Sequence, residues 1–309
     1  MLSAATFLIV FTIVWLIFPE KAFAWGPATH IQIGLEALKN VNLLGHGLQI
    51  LLQAYPFDYL YGCIGVDIIF AKGLAKDHEH SHNWDIGFAV LEEAASPAQE
   101  AFAYGYLSHL AADAIAHNYF IPECTIKNFK SKTFRHVYWE MRFDSLIKKE
   151  LWGLARQIVS MPQHAEDDRL LEKVVKRTLF SFKTDRRIFS GLVQLNHLSQ
   201  WQRMMTSLSE RSPLRLPEHD TSRYLDLSIK NSFNLLFHYK KASCLDMDPT
   251  GKQSLRSAKG LRKNLRRLGR RGILSPVVYA HLLDSLQLEN SSQHLTLLPT
   301  SSDSQLTYF

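Results

Sequence analysis

The sequence predicts an all-α protein, and three observations lead to this fold class. Apolar residues recur every three or four positions in seven long segments, as they do on one face of a helix. Alternation of apolar and polar residues, which is typical of half-buried strands, is scarce. Helix starters such as Ser96-Pro97 directly precede helical runs. A chain of 309 residues can therefore form one multi-helix domain with a substantial core.

Helical periodicity is present in seven segments that cover most of the chain between residues 30 and 240. In chain order these segments are 30–52, 86–95, 97–119, 132–156, 167–182, 187–209 and 221–240. Each has apolar residues at helical spacing, and the third also begins at the Ser96-Pro97 starter. We therefore predict one helical domain at 25–245, followed by a basic helix and a tail at 246–309.

The N-terminus has the features of a cleaved export signal, although no Lys or Arg precedes its apolar stretch. Residues 4–18 are almost all apolar, Pro19 ends the stretch, and Ala22-Phe23-Ala24 is the small-x-small site that signal peptidase cuts. The stretch is short for a membrane span, which needs about 20 residues, so an uncleaved anchor is the weaker alternative. We predict a signal peptide at 1–24, a mature chain that begins at Trp25, and a periplasmic or secreted protein.

The cysteines exclude a disulfide framework. Cys63, Cys124 and Cys244 are odd in number and widely separated, so they can form at most one disulfide. This cysteine usage is neutral or slightly unfavourable toward export.

Two sets of polar residues have the spacing of metal ligands. His109, Asp113 and His117 lie four residues apart in an otherwise apolar run. His136 and Glu140 repeat the spacing further along. A step of four advances only about 40° around a helix, so each set projects from one face, and zinc takes these ligand types. A hydrogen-bonded structural network is the alternative, but burial of such groups without partners is costly, and we favour a metal site.

The other histidines have no companions at ligand spacing. His46 is interpreted as a loop residue, and surface or core fillers are expected at His164, His197, His219, His238, His281 and His294.

Cleavage after Ala24 would place a free amine at Trp25, close in sequence to His30. An amine and its own carbonyl can chelate a metal together. With this N-terminus and the ligand spacing above, the sequence resembles the zinc-dependent phospholipase C family over residues 25–152. Relatives of that family are the S1/P1 nucleases and the catalytic domain of glycosylphosphatidylinositol phospholipase D. The resemblance implies an all-α domain of the zinc-dependent phospholipase C and P1 nuclease type, with a zinc-binding N-terminal Trp and three zinc ions.

The resemblance also implies a ligand set. Asp67 looks like the early aspartate of the family, and the next family histidine falls in the tract 78–84, where His80 is favoured by its distance from Asp67 and His82 is the substitute. The implied set is one zinc held by Asp67, His80 and His109, a second held by Trp25 and His30, Asp113 as the bridge between these two, and a third zinc held by His117, His136 and Glu140.

Phosphodiester hydrolysis suits such a cluster, because metals neutralise phosphate oxygens, activate water and stabilise the leaving oxygen. Asp67 is the catalytic candidate, since it could also orient or deprotonate the attacking water.

Two details bear on the substrate. In the families that the chain resembles, the nucleases end in His-x3-Asp, whereas the phospholipases end in His-x3-Glu, as His136 and Glu140 do here. The interval from Asp113 to His117 is closer to the phospholipase D-type domains than to the longer interval of the small bacterial phospholipases C. We predict a phosphodiesterase that acts on phospholipids or lipid-linked phosphodiesters. The alternatives are an S1/P1-like single-strand nuclease and a non-catalytic, membrane-associated zinc protein.

A basic segment and a polar tail follow the predicted domain. Residues 252–271 contain nine Lys or Arg and no acidic residue, so the remainder of the chain carries a net charge of −3 against +6 for the whole. Leucines recur there at helical spacing. The segment is either a basic amphipathic helix on an anionic membrane surface or a solvated helix packed on the domain through its leucines, with nucleic acid as a third option. Residues 290–309 are predicted to be disordered.

Overall fold

A computed structural model describes residues 25–69, 81–130, 136–175, 181–197 and 216–275, together with Val277 and Tyr279. Every regular element in these residues is helical, which confirms the all-α prediction. The helices are α1 (Pro27–Lys39), α2 (His46–Ala54), α3 (Pro56–Gly65), α4 (Trp84–Glu92), α5 (Pro97–Ile115), α6 (Ile121–Lys127), α7 (His136–Asp144), α8 (Lys149–Val159), α9 (Ala165–Val174), α10 (Phe182–His197), α11 (Glu218–His238) and α12 (Lys252–Arg270). Within the described ranges, no helix is both long and apolar enough to cross a membrane.

Shorter turns connect several of these helices. A π-turn at Ala116–Phe120 joins α5 to α6 without interruption. The 3-10 turns are Val41–Leu43, Val66–Ile68, Pro162–His164, Tyr239–Lys241 and Ser243–Asp246. The predicted signal peptide at 1–24 and the predicted disordered tail at 290–309 lie outside the described residues.

Helix α5 is the centre of the fold. Helices α3, α4 and α11 pack against it, and its buried residues include Phe102, Tyr106 and Leu110. Because neighbours cover α5 on nearly every side from Gly105 onward, the polar residues of that part are buried as well, whichever face they occupy. His109 and Asp113 therefore lie inside the protein rather than on a solvated face.

Helices α3 and α5 pack backbone to backbone at Gly62 and Gly105. A Cβ atom on Gly62 would overlap the carbonyl oxygen of Phe102, and one on Gly105 would overlap that of Tyr59. Glycine is required at both positions by this close approach. The contact places the C-terminal end of α3 beside the part of α5 that carries His109.

A second apolar cluster surrounds Trp25, next to the central helix. The Trp25 ring packs on Phe120 and Phe143, with ring centroids 4.9 and 4.2 Å apart. Its Nε1 donates a 3.1 Å hydrogen bond to the carbonyl of Ala112, which directly precedes Asp113. The side chain of Trp25 is therefore fixed beside α5.

The helix boundaries differ from the predicted segments in ways that local sequence explains. Segment 30–52 is two helices, α1 and α2, which are separated by a turn that ends at Gly45. Helix α3 was not predicted at all. It is buried on all sides from Asp58 to Gly65, so no polar face marks a helical period.

The basic segment forms helix α12, which packs on the domain through its apolar face. Ala258 and Leu265 are buried against Ile126 and Phe129, at the end of α6. The opposite face of α12 carries the Lys and Arg residues and faces solvent.

Replacement of Gly105 by Ala tests the contact between α3 and α5. We expect Gly105→Ala to lower the free energy of unfolding by about 2–3 kcal/mol, because the new methyl group meets main-chain atoms that cannot move aside. Gly260→Ala in the exposed part of α12 is the matched control, since a Cβ there meets no atom within 4 Å. That control should raise the free energy of unfolding by about 0.5–1 kcal/mol. Urea unfolding compares the two, and equal effects would contradict the close contact.

Candidate metal centre

Four parts of the chain bring polar side chains to one buried cluster. His30 lies on α1, and Asp67 lies in the 3-10 turn that follows α3. His82 precedes α4, and α5 contributes His109 and Asp113. All five residues are at most 4% exposed. Burial of two carboxyl groups together with three imidazoles requires that they compensate one another or bind cations.

The two carboxyl oxygens of Asp113 face different histidines. Oδ1 lies 3.2 Å from Nε2 of His30. Oδ2 lies 3.2 Å from Nε2 of His109 and 3.4 Å from Nε2 of His82. A carboxylate that bridges two metal ions needs this arrangement, with one ion toward His30 and the other toward the remaining pair.

Asp67 completes the group around His82 and His109. Its Oδ1 lies 3.3 Å from Nε2 of His82 and 3.8 Å from Nε2 of His109. The two Nε2 atoms are 3.3 Å apart. Ligand atoms around a tetrahedral zinc lie roughly 3.3–3.5 Å apart, given bond lengths of about 2.0–2.1 Å. The spacing therefore fits one ion that contacts all three side chains.

A second group contains His117, His136 and Glu140, whose ligand atoms all lie within 4.8 Å of one another. Nε2 of His136 is 2.7 Å from Oε1 of Glu140. The rings of His117 and His136 meet edge to face, with centroids 4.7 Å apart. His117 lies in the π-turn, where the helix is wider than a regular α-helix. The side chain of His117 therefore does not point in the direction that regular α-helical spacing predicts.

Main-chain carbonyls orient two of the histidines. Nδ1 of His109 donates to the carbonyl of Cys63 at 2.9 Å, and Nδ1 of His117 donates to the carbonyl of Pro249 at 2.6 Å. A carbonyl can only accept, so each Nδ1 carries a proton, and in the neutral ring Nε2 then has the lone pair that a metal binds. Metal-binding histidines are typically held in this way.

The buried carboxyl oxygens are the observation that most clearly fits bound cations. Both oxygens of Asp67, Asp113 and Glu140 are buried, and imidazole nitrogens are the polar atoms beside them rather than backbone N–H or hydroxyl donors. Burial of one ionised carboxylate without a compensating charge lowers the stability of the fold by several kcal/mol. Divalent cations would supply both the charge and the contacts. With imidazole nitrogens beside them, these oxygens form a donor set that fits zinc.

Burial and neighbouring charges shift the pKa values of the cluster in opposite directions. Burial raises the pKa of Asp67 to about 7 and the pKa of Glu140 well above its usual range. Burial also acts on Asp113, but the nearby His109 holds the pKa of Asp113 well below its usual value. Burial lowers the pKa of His82 to about 3. Cations at the cluster would favour the deprotonated ligands, because metals bind carboxylates and neutral imidazoles.

Comparison with known families agrees with this donor set. A sequence model of the family described as zinc dependent phospholipase C matches residues 29–190, more than half of the chain. The chain belongs to this family. The match spans both ligand groups, from His30 to Glu140, and it confirms the resemblance drawn from the sequence. No curated protein and no solved structure matches the chain.

Membership in the zinc-dependent phospholipase C family supports a zinc-dependent hydrolase, and most of the predicted ligands come together. The structure gathers His30, Asp67, His109 and Asp113 in one group and His117, His136 and Glu140 in the other. His80 lies outside the described residues, so its assignment stays a prediction, whereas the substitute His82 contacts the cluster. Trp25 lies nearby through its side chain, and the metal-binding role of its amine stays a prediction.

One histidine that the sequence analysis interpreted as a filler belongs to a separate buried group. Nδ1 of His164 lies 3.1 Å from Oδ2 of Asp167 and 3.6 Å from Oδ1 of Asp58, and the ring stacks on Tyr61. The distances would also allow a metal. Here, however, the imidazole itself partners the carboxylates, so we interpret the group as an ion pair that ties α3 to α9. The spacing of three between His164 and Asp167 was its only signal in the sequence.

Asp144 connects α7 to the start of α1, and no sequence motif indicated this role. Its Oδ1 accepts hydrogen bonds from the backbone N–H of Thr29 at 2.8 Å and from the Thr29 hydroxyl at 2.6 Å. Gly26, the N-cap residue of α1, has no side chain that could make such a bond, so Asp144 caps the helix from another element. The cap fixes His30 relative to Glu140, which lies one turn before Asp144 on α7.

Two substitutions at Asp144 separate its hydrogen bonds from its charge. Asp144→Ala removes the cap, so we expect a loss of about 1–2 kcal/mol in the free energy of unfolding and a lower zinc content. Asp144→Asn keeps an acceptor for Thr29 and should restore both. Urea unfolding and mass-spectrometric metal analysis measure the two effects. Wild-type values for the Ala variant would contradict the cap.

The wild-type protein and Asp144→Asn should differ in the pH dependence of their stability. Burial raises the pKa of Asp144 to about 7, above the value of about 3.9 in an unfolded chain. The folded state therefore binds this proton more tightly, and the resulting stability is lost as pH rises from about 4 through 7. Asn has no such proton, so the stability of Asp144→Asn relative to wild type should increase over this range.

Proposed function

We propose that this chain is an exported zinc-dependent phosphodiesterase that hydrolyses phospholipids or lipid-linked phosphodiesters. The observation that carries the proposal is the buried carboxylate of Asp113, which histidines face on both oxygens. Family membership supports a zinc-dependent activity of the phospholipase C type. The His-x3-Glu pair of His136 and Glu140 favours lipid over nucleic acid as the substrate.

The ligand groups, Asp113 and Asp67 have different roles in the proposed reaction. Zinc held by the two ligand groups would neutralise phosphate oxygens, activate water and stabilise the leaving oxygen. Asp113 would set the distance between two of the ions. Oδ1 of Asp67 lies beside Nε2 of His82 and His109. In the proposed reaction Oδ2 of Asp67 would accept a proton from the attacking water.

In either lipid cleavage, water supplies the oxygen that forms the new bond to phosphorus, and one P–O ester bond breaks. Cleavage on the glycerol side releases diacylglycerol and a phosphorylated headgroup. Cleavage on the headgroup side releases phosphatidic acid and the free headgroup alcohol. Product analysis therefore identifies the bond.

Substitution of Asp113 tests the metal-dependent activity. We expect the zinc-loaded wild-type protein to release one of these product pairs from phosphatidylcholine and no nucleotides from single-stranded DNA. Asp113→Asn should lose zinc and activity together, by roughly 100-fold or more in rate, because a bridging carboxylate is removed. Mass-spectrometric metal analysis measures the zinc, and quantitation of the released phosphocholine or choline measures the rate.

The control for this substitution is Asp167→Asn, which neutralises an equally buried aspartate outside the metal centre. It should leave zinc content and rate near wild type. Nucleotide release without lipid turnover would favour the nuclease alternative. Stoichiometric zinc without any hydrolysis would favour a non-catalytic zinc protein.

Export is part of the proposal because the amine of Trp25 becomes free only when residues 1–24 are removed. The side chain of Trp25 is already fixed at Ala112, beside Asp113. We expect N-terminal sequencing of protein recovered from the periplasm or medium to begin at Trp25. Ala24→Arg, which blocks the cleavage site, should yield protein with less zinc. A different first residue in the exported protein would remove the terminal amine from the ligand set.

A further inference from the structure

Helix α12 carries a continuous stripe of positive charge on its exposed face. The stripe, which we call the basic stripe, consists of Lys252, Arg256, Lys259, Lys263, Arg267 and Arg270. Its members are separated by three or four residues, so they lie on one face of the helix over roughly 27 Å. No acidic residue occurs anywhere in α12.

The opposite face of α12 is already used by the fold. Ala258 and Leu265 are buried against Ile126 and Phe129. A helix that inserts into a bilayer would need this apolar face to be available. Any surface that α12 contacts must therefore be recognised by charge rather than by insertion.

Positive charges are also crowded at the edge of the stripe. Burial and the neighbouring Arg266 both lower the pKa of the Arg262 guanidinium. Like charges three or four residues apart on a helix repel one another. An anionic surface that contacts α12 would relieve this repulsion.

The start of α12 is joined directly to the metal centre. The carbonyl of Pro249 holds the ring of His117 at 2.6 Å, and Gly251, the N-cap residue of α12, lies against the His117 backbone. The Ser254 hydroxyl donates to Oδ1 of Asn118 at 2.9 Å. These contacts fix the basic stripe relative to a proposed zinc ligand.

We propose that the basic stripe docks the protein on the surface of an anionic phospholipid bilayer, by charge alone and without insertion. The proposal rests on the proposed phospholipid substrate, which favours a membrane over nucleic acid as the anionic partner. Docking would hold the metal centre close to the bilayer and raise the local concentration of substrate.

The test measures vesicle binding separately from hydrolysis. The triple variant Lys263→Gln, Arg267→Gln, Arg270→Gln removes three exposed charges from the basic stripe. The matched control Lys149→Gln, Lys183→Gln, Arg187→Gln removes three exposed charges from α8 and α10. Binding is measured by co-sedimentation with vesicles of equal parts phosphatidylcholine and phosphatidylserine, and with vesicles of phosphatidylcholine alone. Zinc content, measured on every protein, shows that the fold is retained.

We expect wild type and control to bind the anionic vesicles, and we expect added salt to weaken this binding. The triple variant should bind them roughly 100-fold more weakly, as three basic residues near a charged surface imply. Equal binding by the triple variant would overturn the proposal. So would a loss of affinity for single-stranded DNA without a loss for vesicles, since the partner would then be nucleic acid.

The proposed activity is assessed independently, on a soluble short-chain phosphatidylcholine. Failure to hydrolyse that substrate would count against the phosphodiesterase, and it would leave the vesicle result standing.

Discussion

The buried carboxylate of Asp113 is the constraint on which the rest of the structure depends. A central helix can hold an unsolvated carboxylate only where its neighbours supply compensating groups. Here α1 supplies His30 to one oxygen, and the segment before α4 supplies His82 to the other. The surrounding helices begin or end near Asp113, so the packing of these helices also brings the ligands together. Metal binding is therefore expected to contribute directly to folding.

Backbone atoms form the layer behind the ligands. The carbonyl of Cys63 lies in the last turn of α3, where a helix has few partners for its C=O groups, and it accepts the proton of His109. The carbonyl of Pro249 does the same for His117 from the segment that precedes α12. Because these acceptors are main-chain atoms, the amino-acid types at their positions do not indicate that they orient a histidine. The close contact at Gly105 is what brings the first of them into reach.

Local features of the sequence predicted the parts of the site that depend on helical spacing. His109 and Asp113 lie four residues apart on one helix, and so do His136 and Glu140, so their common faces follow from the helix period. The cap by Asp144 joins residues 115 positions apart, and no local pattern reports such a contact. The preference for His80 over His82 rested on the distance from Asp67 along the sequence, and spacing outside a helix does not define which way a side chain points.

The attachment of Trp25 to the fold bears on how an N-terminal metal ligand could form. Its indole bonds to Ala112, and the next residues are held by the contact of Asp144 with Thr29. Both contacts lie at or after residue 25, so neither depends on residues 1–24. Removal of residues 1–24 would change the charge and the mobility of the Trp25 backbone nitrogen, while the indole stays bonded to Ala112. The indole contact therefore restrains residue 25 next to α5, which lowers the conformational entropy that its backbone would lose on binding a ligand.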